Sequence, residues 1–528
     1  MTVHIVGSGI AGLAAAVYLI QDAKVDGRDI TIYDAEKDVG GAMAAGSQSP
    51  YGSPATGYVR PAARILDREY RCTRELLDRF YPIQNPTRTI EDEIVEFNDS
   101  RPYHDTTRLL KSSGEVVSSR HFGVSFRDRV NMLKLLLTPE HRLEGKAASE
   151  FFTPKFFHSE FWLNWSTIMG PLPQHSAVEL KRYFLRFLHV LPELASMASV
   201  WRMPLNQYDA VVAPIHDWLK RNKVEFRTKA LVEDMGFDPS HANVTGFDIR
   251  DTETNQVVKH VAVGLHDRVL VTLGSQLADM SIGTQEEAPR APTSPGRSWS
   301  LWRKIATGHA KFGNPDAFFG PDASLGAKWV TFTVTTRDPT LFRDLAGLTG
   351  IDPGRAGLIS LVDSPWLITV VAFHQPHFLK QPEDVMVWWG FGLYPDKLGR
   401  FVQKRMSECS GAEILTETIL QLGLGEERHH IIDVSNCIPC LLPYAGNVWA
   451  VRKESDRPKV IPDGAKNFAF IGQFCEIPKD TMFTMEYSVR SASQAVSGLF
   501  KLPDTTPPVY EGWKDLRAVG AAIKTFLL

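Results

Sequence analysis

Cysteine is scarce in this chain: five residues, Cys72, Cys409, Cys437, Cys440 and Cys475, among 528. So thin and odd a set argues against a disulfide framework and suits a reducing compartment. Surplus charge is missing as well. Lys and Arg number 58 against 61 Asp and Glu, a net charge of −3, so no bulk attraction draws the chain to nucleic acid or another polyanion. Long apolar runs are also lacking, and no stretch approaches the roughly 20 residues that a membrane span needs. The opening MTVHIVGSG has no basic segment followed by a cleavable apolar one, so a cytoplasmic location is expected. What remains is an ordinary globular composition, 43% apolar and 10% aromatic, long enough for more than one domain.

Val3 to Val6 have strand character and run into Gly7-Ser8-Gly9-Ile10-Ala11-Gly12, after which LAAAVYLI has helical composition. In such a unit Gly7 allows the tight turn, Gly9 admits a pyrophosphate against the backbone, and Gly12 lets the helix pack on the strand. The next strand, ITIYD, ends in Asp34, where a carboxylate can hold a ribose hydroxyl. A helix-capping turn would explain the glycines but not the second strand and its terminal acid. Dinucleotide binding is therefore the better reading.

Gly40-Gly41-Ala42-Met43 is a second small-residue turn, similar to one that passes close to FAD in the two-dinucleotide-binding-domain flavoproteins. DRVLVTLGS (267–275) and NFAFIGQFCEIPKDTMFTMEYSVRSA (467–492) fit later strands of such a sheet, and 224–251 alternates like the associated β-meander. The expected fold is mixed α/β: a discontinuous Rossmann-like FAD-binding domain, a substrate domain and a helical C-terminal region. The FAD domain is assigned to 1–60, 200–290 and 440–500, the substrate domain to 61–199 and 291–439, and the C-terminal segment to 501–528.

No second GxGxxG is present for a nicotinamide cofactor, and the nearest paired-cysteine motif, Cys437-Ile-Pro-Cys440, is read as buried turn residues. Either the substrate supplies electrons, as in an oxidase or desaturase, or the flavin performs no net redox. Phe151, Phe152, Phe156, Phe157, Phe161, Trp162 and Trp165 precede an amphipathic stretch at 175–194. Singly these aromatics suit a packed helical core; with the apolar runs at 358–378 and 385–394 they also suit a long cavity for a lipid. His374 and His377 could share a metal, but without an acidic partner pattern packing and hydrogen bonding are preferred, and no metal is expected.

GYVRPAAR, FWLNWSTIMG, HSAVELKRYFLRF, NQYDAVVAPIHDWL, HQPHFLKQPEDVMVWWGFGL, CIPCLLPY, DRPKVIPDG and the 467–492 block together resemble the oleate hydratases, also called myosin-cross-reactive antigens, from the first strand to about residue 500. The resemblance implies FAD-dependent, redox-neutral addition of water across the cis-9 double bond of oleic acid, giving 10-hydroxystearic acid. It implies FAD contacts at Gly7, Gly9, Ile10, Ala11, Gly12, Asp34, Gly41, Ala42, Met43, Arg64, Val232, Gly274, Gly472 and Thr484. Tyr208 matches the family's proton donor, a phenol that nearby positive charge would make a better acid. Ala445 and Asn447 fall on the positions that hold the fatty-acid carboxylate, although Ala445 lacks the usual hydroxyl. Gln375 and His377 are further candidate substrate contacts.

The family's loop at the flavin reads approximately Arg-Gly-Gly-Arg-Glu-Met-Glu. Here Ala62 and Ala63 replace the glycines, Arg64 keeps the arginine, Ile65 stands where the family has its water-activating glutamate, and Asp67 matches a second acid expected to point elsewhere. Three readings follow: a hydratase that positions water without that glutamate, a flavin oxidoreductase of amine-oxidase or desaturase type acting on a lipid, and a lipid-binding protein without turnover. The first is preferred because Tyr208, Arg64 and the FAD elements occur together. The first strand starts at residue 3, where the family usually has a leading extension that joins dimer contacts; a monomer is expected, with a homodimer as the alternative. Leu516, Val519, Ile523, Phe526 and Leu527 share one face of a C-terminal helix, as a lid or a peripheral membrane contact would, docking on the protein's own surface being the commoner fate.

Overall fold

The computed structural model describes all residues except 46–50, 104–107, 118–121, 293–295, 297–298, 325, 351–353, 356, 426–427 and 528. Strand Val3–Val6 is buried along its whole length, as suits the centre of a parallel sheet. It pairs in parallel with Ile30–Tyr33 on one side and Arg268–Thr272 on the other. Glu225–Arg227 flanks the former and Phe468–Ile471 the latter, so five parallel strands come from the start, middle and end of the chain. This is the expected discontinuous Rossmann-like arrangement. Helices Ile10–Gln21 and Met485–Phe500 pack against each other beside the sheet, and the alanines of the first helix permit the close approach. Strands Ala230–Phe237, Val244–Asp251 and Val257–Ala262 form the antiparallel meander.

The second sheet has eight strands, in the order Ser281–Ile282, Ser435–Leu442, Trp329–Thr336, Met386–Gly392, Ile368–Ala372, Ile359–Leu361, Leu109–Leu110 and Val116–Val117. One face buries Phe332, Trp366 and Trp388 with Ile414, Leu415 and Ile419 of helix Gly411–Gln421. The other carries Trp329, Trp389 and Phe391 and packs against Val59, Ala63 and Ala445.

Two stretches assigned from sequence to the FAD domain bond to this second sheet instead. Successive same-face threonines of strand Trp329–Thr336 hold the 58–61 loop: Thr331 Oγ1 donates to Pro61 O at 2.8 Å, Thr333 Oγ1 accepts from Arg60 N at 2.9 Å, and Thr335 Oγ1 accepts from Tyr58 N at 2.8 Å. Ser281–Ile282 pairs with Leu441 and Cys440. The alternation of the threonines, not chain proximity, decides where the loop lies.

Phe152, Phe156, Phe161, Trp162 and Trp165 are buried against one another, with Phe152 and Phe156 stacked at 4.1 Å, so they form core and not the wall of a tunnel. Cys437 and Cys440 lie on one strand and point to opposite faces, one in each apolar cluster. In the C-terminal helix, Leu516–Leu527, Ala518 and Ala522 are buried, while Leu516 and Ile523 remain 84% and 53% exposed, so the apolar face read from sequence is not the one that docks. The side chains of Phe526 and Leu527 lie outside the described residues. Among the described residues no helix is long and apolar enough to cross a membrane.

Candidate functional site

The first glycine turn separates what the fold requires from what a ligand requires. Gly7 has φ +102°, and a Cβ there would lie 2.1 Å from Thr272 Oγ1; a Cβ on Gly12 would lie 2.0 Å from Gly7 O. Both positions are closed to side chains by the protein itself. At Gly9 the nearest atom to such a Cβ is Gly41 Cα at 3.9 Å, and Gly9 has φ −66°, so nothing in the protein forbids alanine. Gly472 also has space, with Thr272 Cγ2 3.7 Å from such a Cβ, but its φ of +91° reserves the position for glycine. No side chain caps the N-terminus of helix Ile10–Gln21, leaving the first-turn N–H groups, those of Ile10, Ala11 and Gly12, to face outward. Open space above Gly9 beside a bare helix N-terminus fits a pyrophosphate.

Gly41 meets Gly9 here, since its own Cβ would lie 2.9 Å from Gly9 Cα; Ala42 and Met43 continue the same turn and are part-buried. Asp34 accepts from Ser8 N at 2.7 Å, Ser8 Oγ at 2.5 Å and Glu36 N at 2.9 Å, bonds that oppose the upward push of burial on its pKa. The acid thus braces the turn and keeps about one acceptor position for a ribose hydroxyl. Val232 is buried in the meander opposite Ile249. Gly274 makes room for Trp299, whose ring a Cβ would meet at 2.5 Å. The Thr484 hydroxyl caps helix Met485–Phe500 by accepting from Tyr487 N at 3.1 Å.

A narrow cavity, lined by Ala62, Ala63, Arg64, Gln276, Leu277, Trp329, Thr331, Trp389, Leu442, Ala445 and Phe483, joins the 58–64 loop to the turn at Ala445–Trp449. Its walls are mostly apolar. The Arg64 guanidinium makes no hydrogen bond or ion pair with any described residue, and burial lowers its pKa to about 10 against the opposing Tyr70 and Tyr183. An uncompensated cation on an apolar wall is costly unless an anion or an acceptor-rich ring occupies the space. Asn447, in the Ala445 turn, is fully buried with both side-chain atoms unpartnered. Ala445 O accepts from Gln276 Nε2 at 3.0 Å, and Gln276 Oε1 accepts from Gln473 Nε2 at 2.7 Å.

Tyr208 begins a single π-helical turn, Tyr208–Val212, and Gln207 Nε2 donates to Arg64 O at 3.4 Å. No described residue hydrogen-bonds its hydroxyl. Positive charge was expected beside this phenol; instead burial, then Asp38 and Asp209, raise its pKa. Ile65 is part-buried against the main core. Asp67 is turned away: its Oδ2 meets His189 Nε2 at 2.8 Å and its Oδ1 accepts from Glu69 N at 2.8 Å. Burial would raise Asp67, but His189 and Arg186 outweigh it and hold the carboxyl below its ordinary value.

Gln375 and His377 do not line this cavity. Gln375 Nε2 donates to Pro382 O at 2.7 Å, because the 375–385 turn closes on its own amides. His377 stacks on Phe373 at 3.9 Å and accepts from Arg60 Nη1 at 2.6 Å; burial, then Arg60, lowers its pKa well below the usual value. Sequence reasoning missed Arg60, Gln276 and Gln473. Arg60 stood in the quoted GYVRPAAR block, but its contact with His377, more than 300 positions away, has no local signal.

Comparison with known proteins now bears on this site. A model of the MCRA family matches residues 1–497. The chain belongs to the MCRA family. An oleate hydratase of Streptococcus pyogenes serotype M49 (strain NZ131) is 31% identical over 525 residues, covering 97% of the MCRA chain and 88% of that protein. A linoleate hydratase of Lactiplantibacillus plantarum is 31% identical over 527 residues, covering 93% and 92%. Among solved structures, cyclohexylamine oxidase of Brevibacterium oxydans IH-35A superposes with TM-score 0.52 at 13% identity, covering 95% of the MCRA chain and 98% of its own. A putrescine oxidase bound to putrescine gives 0.51 at 13%, covering 95% and 99%. These likenesses speak for the fold alone.

Proposed function

We propose that this MCRA protein is an FAD-dependent hydro-lyase that adds water across the cis-9 double bond of oleate or a similar unsaturated fatty acid, giving the 10-hydroxy product without net redox. The observation that carries this reading is the cavity joining the Arg64 loop to the Ala445–Trp449 turn, with Arg64 on its wall and the Asn447 amide in the turn, neither partnered by a described residue. Near-full-length similarity to two hydratases supports the reaction class. The Gly9 cradle and bare helix N-terminus would hold the dinucleotide, with Arg64 beside its ring. When bound, FAD would supply a flat, polarisable surface at the reacting carbons.

An isolated alkene has no electron-withdrawing group, so water adds only as a proton arrives. Tyr208 gives its Oη proton to one carbon, the π electrons forming the C–H bond. Water oxygen bonds to the other carbon and its proton returns to the phenolate, leaving no change in oxidation state. Leu277, Trp329, Trp389, Leu442 and Phe483 exclude stray water. Asp67, held by His189, is not free to orient that water. Asn447 would donate to the fatty-acid carboxylate.

Ile65 favours a second reading, lipid binding without turnover. Anaerobic incubation of the FAD-loaded protein with oleate in heavy-oxygen water, beside Tyr208→Phe, separates the two. A labelled hydroxystearate that the variant fails to make is expected; bound but unchanged oleate would leave only the lipid-binding reading.

A further inference from the structure

Helix Phe126–Leu137 has two apolar faces where a surface helix needs one. Met132 and Leu135 are buried, toward helix Ala177–Arg186. On the opposite side Phe126, Val130, Leu133 and Leu137 are 82%, 49%, 57% and 74% exposed. At about 100° per residue these four positions fall within an arc of about 60°, opposite Leu135. Exposure of single apolar residues is ordinary, but a stripe running the length of a helix marks a surface with a partner.

The charges beside the stripe say which partner. Arg127 and Lys134 flank it on one side and Arg129 on the other, and none forms an ion pair with a described residue. The single acid of the helix is turned inward: Asp128 accepts from Ser125 Oγ at 2.6 Å, Thr153 N at 2.9 Å and Thr153 Oγ1 at 2.8 Å. A second copy laid on this face would set three cations against their duplicates. An anionic bilayer offers hydrocarbon for the stripe and phosphate for the cations.

We propose that helix Phe126–Leu137 is an interfacial contact through which the protein sits on anionic lipid bilayers, at a place distinct from the C-terminal helix. The inference rests on the fatty-acid reading only for its purpose, delivery of substrate from a lipid phase; the binding itself needs no turnover.

The test is co-sedimentation of the full-length, FAD-loaded protein with sucrose-loaded vesicles of phosphatidylcholine, with and without phosphatidylglycerol. The wild type is expected to bind the anionic vesicles and to be released by salt. Leu133→Glu combined with Leu137→Glu should weaken binding about tenfold or more, and Arg127→Ala with Lys134→Ala should remove the preference for anionic lipid. Both pairs lie on the surface, and the oleate-hydrating rate with dispersed substrate is expected to stay unchanged. Binding that survives the glutamates, or that is lost instead with Leu516→Glu and Ile523→Glu, overturns the proposal. So does a lipid-free dimer that the glutamates convert to monomer, which would make the stripe a self-association face. Vesicle binding of the expected kind by a protein that hydrates nothing would sink the hydratase reading alone.

Discussion

The glycine turn at residues 7–12 and the loop at residues 60–67 answer to different rules. In the turn, backbone sterics decide: Gly7 and Gly12 are closed by Thr272 and Gly7 O, and only Gly9 is left open. In the loop, the approach through Tyr58, Arg60 and Pro61 is held by three threonines of a distant strand, and the residues that follow differ in what their side chains project. Two of the turn's glycines are fixed by the protein's own atoms, while the loop's path is set by a neighbouring strand and its residue 65 is an isoleucine. Changes of sequence are thus confined by the backbone in the first region and by side-chain chemistry in the second.

Substitutions can break or sharpen that contrast. Gly12→Val should have the largest effect, costing about 3 kcal/mol or more through the clash with Gly7 O, and little folded protein should be recovered on gel filtration. Tyr208→Phe should leave the melting temperature near wild type and lower the hydration rate about 10²–10⁴-fold, the range for loss of a general acid. Ile65→Glu should raise kcat about tenfold by supplying a base; an unchanged rate would show that positioning alone suffices. Gly9→Ala separates ligand from fold: chemical denaturation of the apoprotein should shift by less than about 0.5 kcal/mol while FAD affinity, read by flavin fluorescence, falls about tenfold.

Asp67→Asn tests the loop's buried acid, and it should cost about 1–2 kcal/mol at pH 7. Asp67 is held below its ordinary pKa, so its stabilisation is complete above the unfolded carboxylate value and is lost as pH falls through the folded one. Urea unfolding from pH 7 to pH 3 should therefore show a shallower acid loss in the variant than in the wild type.

The sequence made the cofactor side plain because its constraints are local. Gly7, Gly9, Gly12, Asp34 and the strand at 467–471 announce themselves by spacing and alternation, and the five-stranded sheet follows their order. The substrate side was legible only by resemblance, and only in part. Gln375 and His377 do not line the cavity at Arg64, and a turn closing on its own amides, or a buried arginine pairing with a histidine, leaves no periodic trace. The aromatic run at 151–165 was ambiguous for a physical reason: a packed core and a lipid tunnel require the same residue types, and only the contacts distinguish them. Of the two fates open to the face of Leu516 and Ile523, docking on the protein is not the one taken: the helix docks through two alanines that periodicity weighs lightly, and that face stays outward.

The order of the parallel sheet also governs how the protein is made. Arg268–Thr272 lies between Val3–Val6 and Phe468–Ile471, so until residue 471 has left the ribosome its buried Val269, Leu270 and Val271 form a bare strand edge. Such an edge is adhesive toward other chains. The Gly472 turn and the helix behind it arrive in the same late segment, so on the proposed reading FAD can be held only once residues up to 500 have been made. On that same reading, a cell short of FAD would accumulate folded but unliganded chains, and flavin supply would set the yield of active protein.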